Sequence, residues 1–301
     1  MRKKLLFFVN PNAGNGEIRS NLLDILQTFA AAGYEITVHP TQGPRDLTEV
    51  IRRDGEAYDM VVSVGGDGTL NETSAGVVQL PAERRPLIGY IPGGTVNDVA
   101  STLGLSKNYL RAAKEIVEGV PYPMDVGSFA GDRWFNYVAA FGAFTDVSYR
   151  TSQQDKRVLG RLAYLLDGVK SLSEIRSTEV EITCCGETRQ ETVLAGLVTS
   201  TTSVGGFKMR SDIGISLNDG LFEVLLIRHI SSLRQLNETV SALLRGDFSS
   251  DAFYFCKTDR VSFRFPEPTD WTLDGEFGGT VTETEILNHP RAIHLMVPRE
   301  K

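Results

Sequence analysis

Short apolar runs alternate with longer amphipathic stretches across residues 1–125, and this alternation constrains the fold more than any other feature of the sequence. Strands and helices differ in the period of their apolar residues. The pattern predicts strands over 5–9, 35–39 and 60–64, and helices over 21–31 and 47–53. Strands that alternate with helices usually form a parallel sheet that the helices cover. We therefore expect an α/β domain here.

Glycine-rich turns follow three of the apolar runs, over residues 10–16, 65–68 and 92–94. Each turn lies at the carboxyl end of a predicted strand. In open α/β sheets this edge binds ligands, because its loops lead into helix N-termini whose free amides face outward. The same edge is therefore the predicted ligand site of the first domain.

Aromatic and β-branched runs separated by turns dominate the sequence after Asp125. They predict strands over 180–184, 193–199, 221–227, 261–265 and 293–297, with helices over 157–172 and 232–245. We therefore expect a second domain that is predominantly antiparallel β. The predicted boundaries are 1–125 for the first domain and 126–285 for the second, with the tail 286–301 packing back on the first.

Length, charge and cysteine content limit the possible classes of protein. The 301 residues favour two domains, and 31 basic against 38 acidic residues argue against broad binding of nucleic acid. Cys184, Cys185 and Cys256 lack C-x-x-C spacing, so we expect neither a disulfide framework nor a zinc site, and a reducing cytoplasmic environment. No run of about 18 apolar residues occurs, so any membrane contact is expected to be peripheral.

The most informative motif directly follows the strand predicted over 60–64. It consists of Gly65, Gly66, Asp67, Gly68, Thr69, Leu70, Asn71 and Glu72. Glycines admit close backbone approach, so successive amides can hold phosphate oxygens while Asp67 binds Mg²⁺ directly or through water. Thr69 is expected to cap the following helix. The alternative is an ordinary turn between strand and helix, but turn geometry alone does not require the polar residues of this motif together.

A second polar turn contains Gly94, Thr95, Asn97 and Asp98. Thr95 is positioned to donate to a phosphate, and Asp98 to orient metal-bound water. A helix N-terminus capped by Asn97 or Asp98 explains the same residues equally well. With Asp67 and Asp125, however, Asp98 forms a predicted acidic cluster, because charges concentrated at one sheet edge normally need a cation.

Three further segments each have a simple structural interpretation. Taken alone, Asp274, Gly275 and Glu276 indicate a hairpin turn. The segment 218–220 indicates a β-turn. The predicted helix over 157–172 carries a basic edge, and it either packs on the core or rests on anionic lipid headgroups.

Together these motifs resemble the diacylglycerol kinase catalytic-domain family, specifically its soluble bacterial lipid kinases, whose signature is G-G-D-G-T followed closely by N-E. The resemblance covers the whole chain in order and spacing, including the segments 10–14, 92–98, 124–127 and 273–276. It implies an N-terminal nucleotide-binding domain with a Rossmann-like parallel sheet and a C-terminal antiparallel β-sandwich domain for the lipid substrate. It also implies a nucleotide site in the cleft between them.

The resemblance further implies roles for individual residues. Glu276 is the general base that takes the proton from the acceptor hydroxyl, and the other catalytic carboxylates are Asp67, Asp98 and Asp125. The nucleotide-binding residues are Asn10, Pro11, Asn12, Ala13, Gly14, Thr41, Thr95 and Asp274, with Gly65, Gly66, Asp67, Gly68, Thr69, Leu70, Asn71 and Glu72. A structural Mg²⁺ is held by Ser216, Asp219 and the carbonyl of Leu221.

The function expected from this resemblance is an ATP-dependent, Mg²⁺-requiring lipid kinase that acts on diacylglycerol or a related glycerolipid. Its partner is a membrane lipid, so a cytoplasmic protein of this kind docks at the inner membrane face. One alternative is an enzyme like NAD kinase, which shares G-G-D-G-T and the two-domain plan. Asn71 and Glu72 after the motif, and the late turn that carries Glu276, favour the lipid kinase. The other alternative is a catalytically silent nucleotide- or lipid-binding protein.

Overall fold

The structure, a computed structural model, describes residues 2–10, 18–143, 176–201, 203–204, 207–208 and 216–299. The chain divides into two compact units. The first contains residues 1–126 and 290–301, and the second contains residues 127–289. The helix predicted over 157–172 lies outside the described residues.

The first unit contains strands that pair parallel. Strand β1 (Lys3–Val9) pairs with β2 (Tyr34–Pro40) and with β3 (Met60–Gly65), and β3 pairs with β4 (Leu87–Pro92). Near the C-terminus, Leu295 pairs parallel with Ile88 of β4. The helices of this unit are α1 (Ile18–Ala31), α2 (Asp46–Asp54), α3 (Asp67–Val78), α4 (Asp98–Thr102) and α5 (Tyr109–Glu118), with 3₁₀ turns at Gly55–Ala57 and Ala82–Arg84.

Apolar burial explains why these segments form a layered α/β unit. All six residues of β3 are buried, as expected for a parallel strand that is covered on both faces. Ile25 and Phe29 lie four residues apart on α1, and both pack in the core shared with β1 and β3. Helix α5 begins after Asn108, whose side chain accepts a hydrogen bond from the amide of Arg111 and so caps the helix.

The second unit is built mainly from antiparallel strands. Two strands belong partly to each unit, namely β5 (Val120–Phe129) and β15 (Glu276–Val297). The other strands of the second unit are β6 (Arg133–Phe135), β7 (Val138–Gly142), β8 (Thr178–Cys184), β9 (Glu187–Thr199), β10 (Ser203–Val204), β11 (Phe207–Lys208), β12 (Phe222–Arg228), β13 (Phe253–Thr258) and β14 (Arg260–Leu273). Strands β7, β8 and β12 each pair antiparallel with β9, and β14 pairs antiparallel with β7, β8 and β15. Helix α6 (Leu233–Arg245) follows β12.

Aromatic side chains form the core of the second unit. The ring of Trp271 lies 4.7 Å from that of Phe141, 5.1 Å from Phe129 and 5.3 Å from Phe263, measured between centroids. Along β8, buried residues alternate with less buried ones, so one face packs on this core. The aromatic run that predicted strands therefore also supplies the core.

The two-domain arrangement and the strand-rich C-terminal part agree with the prediction. The strands predicted over 261–265 and 293–297 are parts of the longer β14 and β15. The first was underestimated because Pro266 and Pro268 normally end a strand. Here both prolines lie where the register of β14 and β15 shifts, between Arg264 and Thr269, so they interrupt the ladder without ending the strand. The Rossmann-like description of the first unit stays a prediction.

No helix within the described ranges is long and apolar enough to cross a membrane.

Candidate active site

The segments that follow the parallel strands meet at one edge of the first unit. Gly65 at the end of β3 pairs with Pro92 at the end of β4, and the amide of Gly93 donates to the Gly65 carbonyl at 2.7 Å. On the other side, the amide of Thr41 donates to the carbonyl of Val9 at 3.0 Å. The carboxyl ends of β1 and β2 and the turns after β3 and β4 therefore lie along the same edge of these strands.

The two glycine-rich turns pack backbone against backbone. A Cβ atom on Gly94 would lie 2.5 Å from the Cα of Gly66, and one on Gly65 would lie 2.1 Å from Oγ1 of Thr69. Distances this short exclude any side chain at either position. The glycines therefore allow a close approach of the two turns, and glycine-rich turns are the kind of main chain that cradles phosphate oxygens.

Asp67 joins the two turns. Its Oδ2 accepts a hydrogen bond from the amide of Asn97 at 2.9 Å. Asn97 adopts a left-handed conformation with φ of 56°, which asparagine tolerates, and its side chain bonds back to the amide and carbonyl of Gly94. The hydroxyl of buried Tyr90 lies 3.0 Å from the Gly65 carbonyl and 3.1 Å from Oδ1 of Asn97. This network fixes the Asp67 carboxylate relative to the second turn.

The other two predicted catalytic carboxylates of this unit are buried. Asp98 is the first residue of α4 and Asp125 lies on β5, and each is 1% exposed. Burial raises the pKa of Tyr90, and the negative charges of Asp67 and Asp98 raise it further. Asp67 and Asp98 therefore lie near the same hydroxyl group. Asp125 accepts a hydrogen bond from the amide of Arg291 through Oδ1 at 2.7 Å.

The cap of helix α3 differs from the prediction. The helix begins at Asp67, with Gly66 at the N-cap and no capping bond from a side chain. The prediction that Thr69 caps this helix is therefore wrong. Strand β3 passes into α3 through the single residue Gly66, so Thr69 is already the third helical residue, and its side chain lies against Gly65 instead.

Glu72, predicted to contact the nucleotide, bonds to the start of helix α2. Its Oε1 accepts the amide of Arg45 at 2.9 Å, and its main-chain carbonyl accepts the hydroxyl of Thr48 at 2.9 Å. Burial raises the pKa of Glu72, while hydrogen bonds from the amides of Arg45 and Leu47 act against that rise. A carboxylate at a helix N-terminus is stabilising. Glu72 thus positions α2, which has no cap bond from its own N-cap residue.

The late turn in the second unit is a hairpin. Asp274 and Gly275 have φ of 49° and 86° between β14 and β15, as a tight two-residue turn requires. The buried Asp274 carboxylate accepts three main-chain amides, at distances of 2.7 Å from Asn136, 3.0 Å from Tyr137 and 3.1 Å from Val138. Glu276, two residues on, is exposed. The turn thus holds Asp274 inward and leaves Glu276 accessible.

The segment predicted to hold a structural Mg²⁺ also forms a turn. Oδ1 of Asp219 accepts the amide of Leu221 at 3.1 Å, and the hydroxyl of Ser216 donates to Asn218 at 2.8 Å. Sequence reasoning missed Glu223 nearby, which is 1% exposed and lies 2.9 Å from Nζ of Lys257. Burial raises the pKa of Glu223 to about 7; the ion pair with Lys257 opposes this rise, and the charge of Asp219 adds to it.

Other predicted nucleotide residues differ in their burial or lie at or beyond the end of a described segment. Thr95 is exposed, whereas Leu70 is fully buried in the core. Asn10 ends the first described segment. The residues Pro11, Asn12, Ala13 and Gly14 lie outside the described residues.

The three cysteines form a cluster that the sequence did not indicate. Their sulfur atoms all lie within 4.8 Å of one another. The spacing along the chain suggested no metal site. Cys184 pairs with Val261 on β14, and β13, which carries Cys256, directly precedes β14, so this pairing brings the distant cysteines together. The exclusion of a cysteine metal site from spacing alone is therefore not justified.

Comparison with known proteins identifies the family. Residues 4–129 match the diacylglycerol kinase catalytic domain, and residues 138–297 match the YegS C-terminal NAD kinase beta sandwich-like domain. A diacylglycerol kinase of Bacillus subtilis (strain 168) is 36% identical over 303 aligned residues, which cover 99% of this chain and 98% of the relative. The chain belongs to the diacylglycerol kinase catalytic-domain family. A diacylglycerol kinase of Staphylococcus carnosus (strain TM300) is 33% identical, and the alignment covers 100% of this chain and 97% of that relative.

Solved structures of the diacylglycerol kinase family share the fold. A crystal structure of a diacylglycerol kinase from Bacillus anthracis str. Sterne matches with a TM-score of 0.76 at 22% identity, over 98% of this chain and 97% of that one. Another crystal structure from the same organism also covers 98% of this chain and 97% of its own chain, with a TM-score of 0.83 at 23% identity. These likenesses confirm the two-domain fold. The family assignment itself rests on the sequence relatives.

Proposed function

We propose that this protein is an ATP-dependent lipid kinase that transfers the γ-phosphate to the hydroxyl of diacylglycerol or a closely related glycerolipid. The observation that carries the proposal is the joining of the two glycine-rich turns by the bond between Asp67 and the Asn97 amide. That junction provides main chain for phosphates and a carboxylate beside it, which are the parts that phosphoryl transfer requires. Relatives named diacylglycerol kinases, at 33% and 36% identity over 97% and 98% of their lengths, support the choice of acceptor.

The carboxylates of the first unit suit Mg²⁺. Asp67, Asp98 and Asp125 are hard oxygen donors, and burial of the last two makes a compensating cation favourable. The structure does not gather the three carboxylates into the predicted cluster, because their ligand oxygens do not all lie within 4.8 Å of one another. When bound, Mg²⁺ neutralises charge on the phosphates and stabilises the charge that develops during transfer. Asp67 is the residue that we expect to contact the ion or its water, because the bond to Asn97 holds its carboxylate at the turn.

Glu276 is the proposed general base. It is exposed and stands two residues from Asp274, whose three amide bonds fix the turn. In this role its carboxylate takes the proton from the acceptor hydroxyl as that oxygen attacks the γ-phosphorus of ATP, whose bond to the bridging oxygen breaks to release ADP. Asp274 is then a positioning residue, since both of its carboxylate oxygens already accept main-chain amides.

Several finer assignments belong to the same proposal. The parallel pairing of β1, β2, β3 and β4 supports a Rossmann-like nucleotide domain at 1–125 with the tail 286–301. The aromatic side chains of the second unit form a buried core, so the lipid domain at 126–285 stays a prediction. The nucleotide site in a cleft between the domains, the Mg²⁺ site at Ser216, Asp219 and Leu221, and the cytoplasmic location with peripheral membrane contact stay predictions.

The test is an acceptor panel with γ-labelled ATP and Mg²⁺. Parallel reactions contain diacylglycerol in detergent micelles, NAD, or neither acceptor. We expect label in a lipid phosphate with diacylglycerol alone. Transfer to NAD would favour an activity like that of NAD kinase, and absence of transfer to any acceptor would favour a silent binding protein. NAD is the necessary alternative acceptor because residues 138–297 match a NAD kinase beta sandwich-like domain.

A further inference from the structure

Three thiols converge at one end of the second unit. Cys184 ends β8, Cys185 occupies the turn to β9, and Cys256 lies on β13. The sulfur atoms of Cys184 and Cys185 are 3.6 Å apart, and those of all three residues lie within 4.8 Å of one another. Since the chain contains three cysteines in total, the cluster collects every thiol of the protein.

The spacing of these sulfur atoms suits a tetrahedral thiophilic cation. A Zn–S bond of about 2.3 Å places neighbouring sulfur ligands about 3.8 Å apart in tetrahedral geometry. The observed 3.6 Å between Cys184 and Cys185 is close to that value. A disulfide between these two residues fits poorly, because adjacent Cα atoms are only about 3.8 Å apart and disulfides need about 4.4 Å or more.

Cys185 has a left-handed backbone conformation that places its thiol near Cys256. Cys185 has φ of 55° and Gly186 has φ of 79°, so the two form a tight hairpin turn. Asparagine, aspartate or glycine is the usual residue in such a position, and a cysteine there is strained. The conformation directs the Cys185 thiol to the carbonyl of Lys257 at 3.3 Å, next to Cys256.

The three thiols lie at the margin of the core of the second unit. Cys184 is buried in that core, Cys256 is partly buried against it together with Tyr254, and Cys185 is exposed. The cluster therefore has a packed side that fixes two of the thiols and an open side through which an ion can enter.

We infer that Cys184, Cys185 and Cys256 form a binding site for a thiophilic divalent cation of the zinc type, held through three thiolates with water in the fourth position. Binding releases the thiol protons to solvent and changes no oxidation state. Cys185 is exposed, so the site is open to solvent on one side. The site uses none of the residues assigned to phosphate transfer.

The experiment uses the full chain, fully reduced and stripped of metal with a chelator. Co²⁺ is titrated as a spectroscopic probe, and Zn²⁺ is then added to displace it. We expect a sulfur-to-cobalt charge-transfer band that saturates at one equivalent and disappears with Zn²⁺. Cys185→Ser and Cys256→Ser should each weaken Zn²⁺ binding by at least about tenfold. Loss of a residue that only hydrogen-bonds to a metal ligand already lowers metal affinity by about tenfold or more, and loss of the ligand itself should lower it further.

Cys185→Ser keeps the test valid if the more buried variants fail to fold, because Cys185 is exposed at a turn. Glu187→Gln, in the same hairpin and also exposed, is the matched control that should retain the band. Absence of a charge-transfer band at one equivalent would overturn the site. An unchanged band in folded Cys185→Ser, or its loss in Glu187→Gln, would overturn the three-thiol ligand set.

Discussion

The amide of Asn97 donates a 2.9 Å hydrogen bond to the carboxylate of Asp67 and thereby links the turn after β4 to the turn after β3. The two residues are 30 positions apart, and the packing of Gly94 on Gly66 brings their turns into contact. A substitution of Asp67 can therefore remove both its negative charge and the hydrogen bond that joins the two turns. A test of its chemical role must preserve the junction.

Asp67→Asn preserves an oxygen that accepts the Asn97 amide but removes the charge. We expect phosphate transfer to fall by about 10²-fold or more, because stabilisation of developing charge is lost. Raised Mg²⁺ should restore part of the rate. The measurement is turnover as a function of Mg²⁺ at saturating ATP. Asp24→Asn, at an exposed position on α1, should behave like the parent; an identical Mg²⁺ dependence in Asp67→Asn would contradict a metal role.

Asp274→Asn should destabilise the protein. Asparagine tolerates the φ of 49°, so the substitution isolates the three amide bonds from backbone strain. Loss of charge-assisted bonds to a buried carboxylate should lower the free energy of unfolding by about 1.5–3 kcal/mol. Urea unfolding measures this change. Asp270→Asn, at an exposed residue of the same strand, should stay within about 0.5 kcal/mol, and an equal effect of both variants would refute the anchoring role of Asp274.

Glu223 should make stability depend on pH. Burial raises the pKa of Glu223 from an ordinary 4.5 to about 7, so the folded state holds this proton more tightly than the unfolded chain. Stability from this group is full below pH of about 4.5 and falls as pH rises through about 7, by at most about 3 kcal/mol. Unfolding measured across that range should have a flatter pH dependence in Glu223→Gln. The same slope in variant and parent would contradict this assignment; Glu238→Gln, exposed on α6, is the control.

Asp219→Ala tests the proposed structural Mg²⁺ site. If Mg²⁺ binds at this turn, it stabilises the folded state, and the parent should melt at a higher temperature when Mg²⁺ is added. The variant should lose that increase. Asp259→Ala, in an exposed bend, should retain it. If Mg²⁺ raises the melting temperature of Asp219→Ala as much as that of the parent, the turn at Asp219 does not bind Mg²⁺.

Local signals in the sequence predicted much of this fold. Ser232 begins α6 by accepting the amide of Gln235, and Gly246 ends it in a left-handed conformation, so both limits of the helix were readable from residue type. The glycine-rich turns predicted over 65–68 and 92–94 likewise follow the ends of β3 and β4, while ligand binding at this edge stays a prediction. Such features depend on neighbours within a few residues, which the sequence displays directly.

Features that depend on distant pairing could not be read in the same way. The bond from Glu72 to the start of α2 spans 27 positions, and Cys185 contacts a carbonyl 72 positions away. Both contacts follow from how helices and strands pack, which residue spacing does not encode. Glu223 was missed for a related reason: a single acid in an apolar strand shows its importance only when its burial and its partner Lys257 are seen.

The most direct test of the lipid kinase account is the rate of phosphate transfer to diacylglycerol by Glu276→Gln at saturating ATP, Mg²⁺ and lipid, with ATP affinity measured in parallel. The amide keeps the shape of the side chain but cannot accept the proton, so the rate should fall by about 10²- to 10⁴-fold while ATP affinity stays unchanged. Glu267→Gln, at an exposed residue of β14, should keep the parent rate. A rate in Glu276→Gln equal to that of the parent would contradict the account.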